Sequence, residues 1–212
     1  MTANHKQFPR LTVRAAAEML HKPPELMRQM LYDQKYPDQG DRPFRTPYYR
    51  HAIAGMKNYF RSGRPALLVS KSEIQGFRQP SRIENNFRVL DAFEKSSLAV
   101  RPIQIAPNRR LYANVGGVEL RLSSDMQAVE DGETRVFYFN CRNHAYDPET
   151  ARRMVEIAYW VMTQNGINVR PNQVEFDDLF TGKVYRVEGL RSETLTSLDM
   201  EASAVRSLWD EL

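Results

Sequence analysis

The sequence contains one cysteine, four histidines and no long apolar run. Cys141 alone can form neither an internal disulfide nor a cysteine-based zinc or iron–sulfur cluster. The histidines lack the spacing of metal ligands, and no segment is apolar for long enough to span a bilayer. The first ten residues lack the apolar centre of a signal peptide. These absences predict a cytoplasmic protein of bacterial or phage origin with no membrane partner.

Acidic residues are scarce in the first part of the chain. The formal net charge is +4. Residues 1–78 carry 14 Lys and Arg against 6 Asp and Glu, whereas residues 79–212 carry 16 against 20. This asymmetry indicates a basic module that faces a polyanion and a second part with another role. A merely solvated basic surface is the alternative interpretation. With 212 residues, 42% of them hydrophobic, the chain can bury a sizeable core as one large or two small domains.

Two short amphipathic helices are predicted near the start of the chain. The first spans residues 11–20 with Thr12 as its N-cap, and the second begins at Pro24. The second helix would direct Leu26, Met27, Met30 and Leu31 inward. The short turn between them makes the pair a helix-turn-helix candidate.

The segment LTVRAAAEMLHKPPELMRQMLYDQKYP resembles the opening of excisionase and MerR-type winged helix-turn-helix domains. Leu11, Ala16, Ala17 and Leu20 occupy matching places, and residues 38–45 would form the wing. The resemblance implies a DNA partner, and an N-terminal helical cap on the domain that follows is the alternative. The DNA-contacting residues expected from this segment are Arg28, Gln29, Tyr32, Lys35, Arg42 and Arg45.

A third helix is predicted over residues 48–62, ended by Gly63. Its outer face carries Arg50, Lys57 and Arg61, which could contact phosphates, although such faces are more often only solvated. Residues 64–80, which contain prolines and a glycine, are predicted to form a linker.

The remainder of the chain is predicted to alternate between strands and helices. Glu175, Asp177 and Asp178 are expected to cover a sheet edge. The predicted helices span residues 81–95, 148–164 and 193–212. The predicted strands span residues 98–105, 110–115, 174–179 and 183–187, together with a strand from Val118, a turn at residues 130–133 and a strand over residues 136–141.

This strand–turn–strand–helix block resembles the core of PD-(D/E)XK nucleases, especially the RecB-like branch. Asp125 stands where the resemblance places the first metal-binding Asp, and Glu84 is the candidate acid on the preceding helix. The D/E-x-K triplet of the family, however, reads Phe139-Asn140-Cys141, and no lysine occurs between Lys95 and Lys183. The resemblance therefore implies a nuclease-like scaffold that has lost its catalytic acid and amine.

These observations predict an α/β (α+β) protein with a mixed central sheet flanked by helices. The expected division is a helix-turn-helix-like region at residues 1–63, a linker at 64–80 and a nuclease-like domain at 81–212. The favoured hypothesis is a DNA-binding protein that is not an enzyme and needs no cofactor. A divergent nuclease using Mg²⁺ or Mn²⁺ at Asp125 is one alternative. A protein-interaction or inhibitor module, with a homodimer or another protein as its partner, is the other.

Overall fold

The computed structural model of the chain describes residues 7–36 and 48–212. These residues form an α+β fold with two β-sheets and flanking helices. The helices are α1 (Val13–Ala17), α2 (Pro24–Lys35), α3 (Arg50–Ser62), α4 (Arg64–Gln75), α5 (Pro80–Lys95), α6 (Pro148–Gln164) and α7 (Ser192–Glu211). The strands are β1 (Arg10–Thr12), β2 (Ile103–Ala106), β3 (Leu111–Val115), β4 (Val118–Leu122), β5 (Met126–Glu130), β6 (Glu133–Asn140), β7 (Val174–Asp178) and β8 (Lys183–Tyr185).

The smaller sheet has three strands in the order β1-β4-β3. Strand β1 runs parallel to β4, with Leu11 opposite Leu120, and β3 runs antiparallel to β4. The alternation predicted from Val118 is confirmed, because Val118, Leu120 and Leu122 are all buried. They join a hydrophobic core with the apolar faces of α1, α6 and α7.

The larger sheet has five strands in the order β2-β5-β6-β7-β8. Only β6 and β7 are parallel, and α6 connects them, as a parallel crossover requires. Tyr138 and Phe176 on one face belong to the first core. Phe137 and Phe139 on the other face pack with α3, α4 and α5 in a second core. The sheet therefore separates two apolar layers.

The chain passes from the smaller to the larger sheet at residues 123–125. The sequence predicted one strand from Val118 to the turn, whereas the structure has two, β4 and β5, which belong to different sheets. The predicted turn is confirmed: Asp131 and Gly132 both have positive φ, as a two-residue hairpin needs. Asp125 thus lies at the entrance to β5 and not at the end of a strand.

The N-terminal residues form less helix than predicted. Thr12 caps α1 by accepting a hydrogen bond from the Ala15 amide, as expected. The preceding residues instead form β1, and α1 is followed by a 3-10 turn at Glu18–His21. Helix α2 begins at Pro24 as predicted, but Leu26, expected inside, is 55% exposed. The proposed wing at residues 38–45 lies outside the described residues.

Residues 64–75 form helix α4 and not the predicted linker. Gly63, with a φ of +72°, ends α3, and α4 starts at the next residue. Leu67 and Ile74 of α4 are buried in the second core with α3 and α5. Buried apolar side chains at this helical spacing explain why the segment forms a helix. The prolines and the glycine had favoured a linker in the sequence.

The later elements follow the predictions more closely. Helix α6 has the predicted bounds, and α5 and α7 agree to within a residue at each end. Residues 97–100 form a 3-10 turn where a strand was expected. The edge role predicted for Glu175, Asp177 and Asp178 is wrong, because β7 lies between β6 and β8 and all three residues are buried. No helix among residues 7–36 and 48–212 is both long and apolar enough to cross a membrane.

Candidate nucleic-acid interface

Asp125, the residue that would hold a metal under the nuclease alternative, is bound by protein groups. Its Oδ2 accepts a hydrogen bond from the Phe139 amide at 2.8 Å and an ion-pair contact from Arg14 Nη2 at 2.7 Å. The Arg14 guanidinium also donates to the Phe139 carbonyl at 3.2 Å. The guanidinium therefore ties α1 to the entrance of β5 and the end of β6.

Aromatic rings surround the Arg14 guanidinium. It lies 5.7 Å from the ring centre of Tyr138 and 5.9 Å from that of Phe176. Burial disfavours its charge, but nearby groups, led by Asp125, more than offset this and raise the pKa of Arg14. A positive charge thus already contacts Oδ2 of Asp125, where it would repel a divalent cation.

Phe139 and Cys141, the first and third residues of the triplet that the resemblance singles out, supply no hard ligand. The Phe139 ring is buried and stacks on Phe137, with ring centres 6.2 Å apart. Burial, reinforced by Asp125, raises the pKa of the Cys141 thiol, so that it stays protonated. Mg²⁺ and Mn²⁺ prefer several oxygen ligands. The residues around Asp125 do not fit such an ion.

Glu84 is not brought into the neighbourhood of Asp125. It forms an ion pair with Arg88 at 2.7 Å on α5 and lines a cavity of about 770 Å³ between α5 and the β7–β8 turn. Asp125 does not line that cavity. Within the described ranges, no three His, Cys, Asp or Glu residues are grouped to hold a metal ion.

Two of the residues predicted on α2, Arg28 and Lys35, contact α7. Arg28 lies 3.8 Å from Glu211, and Lys35 donates to the Trp209 carbonyl at 2.6 Å. Gln29 donates to Asp33, and the Tyr32 ring contacts Tyr36. This face of α2 is therefore partly engaged in holding the last helix. Arg42 and Arg45 lie outside the described residues.

The residues predicted on α3 have a different setting. Arg50, Lys57 and Arg61 follow a helical i, i+7, i+11 spacing and so form a single stripe, which we call the α3 stripe. Arg50 and Arg61 are exposed. Among the described residues, none of the three forms an ion pair. Burial lowers the pKa of Lys57, against the opposing effect of Asp125, so the stripe passes within electrostatic reach of Asp125.

Part of the basic excess in residues 1–78 is neutralised inside the molecule. Arg10 pairs with Glu119, Arg14 with Asp125 and Arg28 with Glu211, each across the two halves of the sequence. The asymmetry of charge therefore reflects intramolecular pairing as well as surface potential. Only the cations left without a carboxylate, such as those of the α3 stripe, are free to attract a polyanion.

A buried ionic network lies on the α5-facing side of the larger sheet. Glu175 accepts contacts from Arg101 at 2.8 Å and Arg186 at 2.7 Å, and Arg101 also binds Glu130. Next to it, burial and the like charge of Glu175 raise the pKa of Asp177 to about 7. Asp177 Oδ2 has no hydrogen-bond partner among the described residues. This network stabilises the sheet and is separate from the surface cations.

The sequence analysis missed one basic cluster, formed by Arg109, Arg110 and Arg121. These residues line a surface cavity of about 320 Å³ with Ser123 and Ser124, next to Asp125 in the chain. The adjacent Arg109 and Arg110, at the start of a predicted strand, were the available signal. Comparison of the chain with family models and with curated proteins gives no match.

Proposed function

We propose that this protein is a non-catalytic DNA-binding protein whose larger sheet is a degenerate PD-(D/E)XK-like scaffold. The proposal depends on two observations. Among the described residues, the cations of the α3 stripe form no ion pair with a carboxylate, and the charge of Asp125 acts on Lys57 within that stripe. The Asp125 carboxylate itself is already bound by Arg14. Unpaired cations attract phosphates, and the surroundings of Asp125 lack the ligands for cleaving them.

The order of elements supports the scaffold part of the proposal. Strand β5, the Asp131-Gly132 turn, strand β6 and helix α6 follow one another as the resemblance implies, and β7 then returns parallel to β6. Asp125 lies beside β6 through its bond to the Phe139 amide. An acid on β6 and an amine just after it would complete the family's site, and the resemblance assigns Phe139 and Cys141 to those positions.

The N-terminal contribution differs from a simple helix-turn-helix. Helix α1 has only five residues and packs on α6, and α2 engages α7. We therefore assign the phosphate contacts to Arg50 and Arg61 of α3, because Arg28 on α2 already pairs with Glu211.

A gel-shift experiment tests this proposal. A random duplex of about 30 base pairs, roughly three helical turns, is titrated with the full chain at low salt, with and without Mg²⁺. We expect retarded, full-length DNA in both conditions. The Arg50→Gln/Arg61→Gln double variant should bind at least about 10-fold more weakly and lower the salt slope by about 1.8, because two phosphate contacts are lost.

The matched control is Lys95→Gln/Lys183→Gln, which removes the same charge at two exposed lysines that form no ion pair in the described residues. If both double variants weaken DNA binding equally, the loss is explained by net charge alone, and the α3 assignment is contradicted. Shortened DNA that requires Mg²⁺ would favour the nuclease alternative. Absence of any retained duplex would reject DNA binding and leave the protein-interaction hypothesis.

A further inference from the structure

The outer face of the smaller sheet carries a second cluster of unpaired polar groups. Tyr112 and Arg121 are register partners on β3 and β4, so their side chains share one face. Tyr112 is 43% exposed, unusual for a large ring in the middle of a strand. The opposite face of the same strands is buried against α6 and α7. On the outer face, Tyr112, Asn114 and Arg121 are all exposed.

Two cavities meet at Arg121. One, of about 220 Å³, is lined by Tyr112, Thr12 and Gln34, and the other, of about 320 Å³, by Arg109, Arg110 and Ser123. We call the combined surface the sheet trough. The exposed ring of Tyr112 lies in one cavity, Arg109 and Arg110 lie in the other, and Arg121 lines both.

The charge of the trough is uncompensated. Within the described residues, Arg109, Arg110 and Arg121 form no ion pair, and no carboxylate lines the cavity that they share. The carboxylate that lines the smaller cavity, Glu119, is bound to Arg10 at 2.8 Å. Three neighbouring like charges without a counterion cost free energy unless an anion joins them.

The loop that carries Arg109 and Arg110 is held rigidly. Gln127 Oε1 accepts from the Arg109 amide at 2.9 Å, and Gln127 Nε2 donates to the Arg109 carbonyl at 3.1 Å. Asn108 in turn donates to the Ser124 carbonyl and accepts from the Gln127 amide. These bonds fix the backbone while leaving the arginine side chains unengaged, which lowers the entropic cost of binding an anion.

We infer that the sheet trough binds single-stranded nucleic acid, with Arg109, Arg110 and Arg121 on consecutive phosphates and a base stacked on Tyr112. The inference rests on the proposed nucleic-acid function and adds a second surface to it. Stacking on Tyr112 requires a base whose face is free, which a strand outside a duplex provides. The guanidinium groups supply the planar donors that suit phosphate oxygens.

The test is fluorescence anisotropy of a labelled oligothymidine single strand of about 12 nucleotides, with the full chain and its variants. Arg109→Gln/Arg110→Gln should weaken binding at least about 10-fold and lower the salt slope by about 1.4. Tyr112→Ala should weaken it about 10-fold, whereas Tyr112→Phe should bind like the parent because it keeps the stacking face. Thermal unfolding confirms that each variant is folded.

The Lys95→Gln/Lys183→Gln variant is the charge-matched control and should leave single-strand binding unchanged. The trough assignment is overturned if the parent protein does not bind the single strand, if the control weakens binding as much as the arginine variant, or if Tyr112→Phe and Tyr112→Ala bind equally. Duplex binding distinguishes the two proposals. Retained duplex with no single-strand binding rejects the trough alone, and the reverse result rejects the α3 assignment alone.

Discussion

Arg14 and Asp125, 111 residues apart in the sequence, form an ion pair of 2.7 Å that joins α1 to the start of β5. The same guanidinium bonds the Phe139 carbonyl, and the same carboxylate oxygen accepts the Phe139 amide. One charged pair thus connects three separate segments. It gives Asp125 a structural partner in place of the metal that the resemblance implies.

Replacing Arg14 with methionine should lower the free energy of unfolding by about 2 to 3 kcal/mol. The methionine keeps much of the apolar stem, so the loss comes mainly from leaving the Asp125 carboxylate, only 18% exposed, without its counter-charge. Urea unfolding measures the difference. Arg88→Met is the control: its partner Glu84 is 70% exposed, and the change should cost under about 1 kcal/mol. Equal costs would contradict a special role for Arg14.

Asp177 should make stability fall as pH rises. Its pKa of about 7 in the folded protein exceeds the ordinary value of 3.8, so between these values the folded state keeps a proton that the unfolded state has lost. Stability therefore decreases from about pH 4 to about pH 7 and changes little from this group above that. Asp177→Asn should flatten this slope and gain on the order of 2 to 4 kcal/mol above pH 7.

Urea midpoints measured across this pH range test the Asp177 prediction. Asp210→Asn, at an exposed residue paired with Arg206, is the control and should leave the slope unchanged. A steep pH dependence that persists in Asp177→Asn would assign it to other groups.

Gly116 should tolerate no side chain. Its φ is +52°, and a Cβ atom would lie 2.8 Å from the Ser203 amide nitrogen and 2.9 Å from Ala202 Cβ on α7. We expect Gly116→Ala to lower the free energy of unfolding by about 2 to 4 kcal/mol, because backbone strain and overpacking add. Gly132→Ala, at φ +78° with nothing within 4 Å, should cost only about 1 kcal/mol. Thermal or urea unfolding of both variants separates crowding from strain.

Cys141 should be unreactive in the folded protein. Its side chain is buried, and burial together with Asp125 raises the pKa of the thiol, so little thiolate forms at mildly alkaline pH. A colorimetric disulfide reagent should label no thiol in the native state and one thiol per chain in urea. Rapid labelling without denaturant would show that the end of β6 opens to solvent.

Local patterns predicted the long helices and the hairpin well. Helix α6 carries an Asp147 N-cap and Pro148 at its first position, and both its bounds were predicted. The turn at Asp131 and Gly132 was equally clear. Patterns of this kind involve only about 20 neighbouring residues, so the local sequence is enough to predict the helix or the turn.

The features that the sequence did not predict depend on distant partners. Strand β7 places Glu175 and Asp177 inside a sheet, although their charge predicts an edge position. The arginines that neutralise Glu175 come from other segments, so the local sequence does not show that its charge is compensated. The predicted first helix began at residue 11, whereas the structure has strand β1 there. Its three residues adopt an extended conformation by pairing with β4, which is distant in the sequence. The engagement of Asp125 by Arg14 likewise has no local signature.

The pairing of β1 with β4 has a consequence for the order of assembly during synthesis. The apolar side chains of Leu11 and Val13 have no sheet or helix to cover them until β4, α6 and α7 have been made. Helix α2 can take its final position only later, because Lys35 donates to the carbonyl of Trp209. Helices α3, α4 and α5 are contiguous in the sequence and can pack together first, although the second core is complete only when the larger sheet covers them. The N-terminal segment must be kept from aggregating until residues as far as Trp209 have been synthesised.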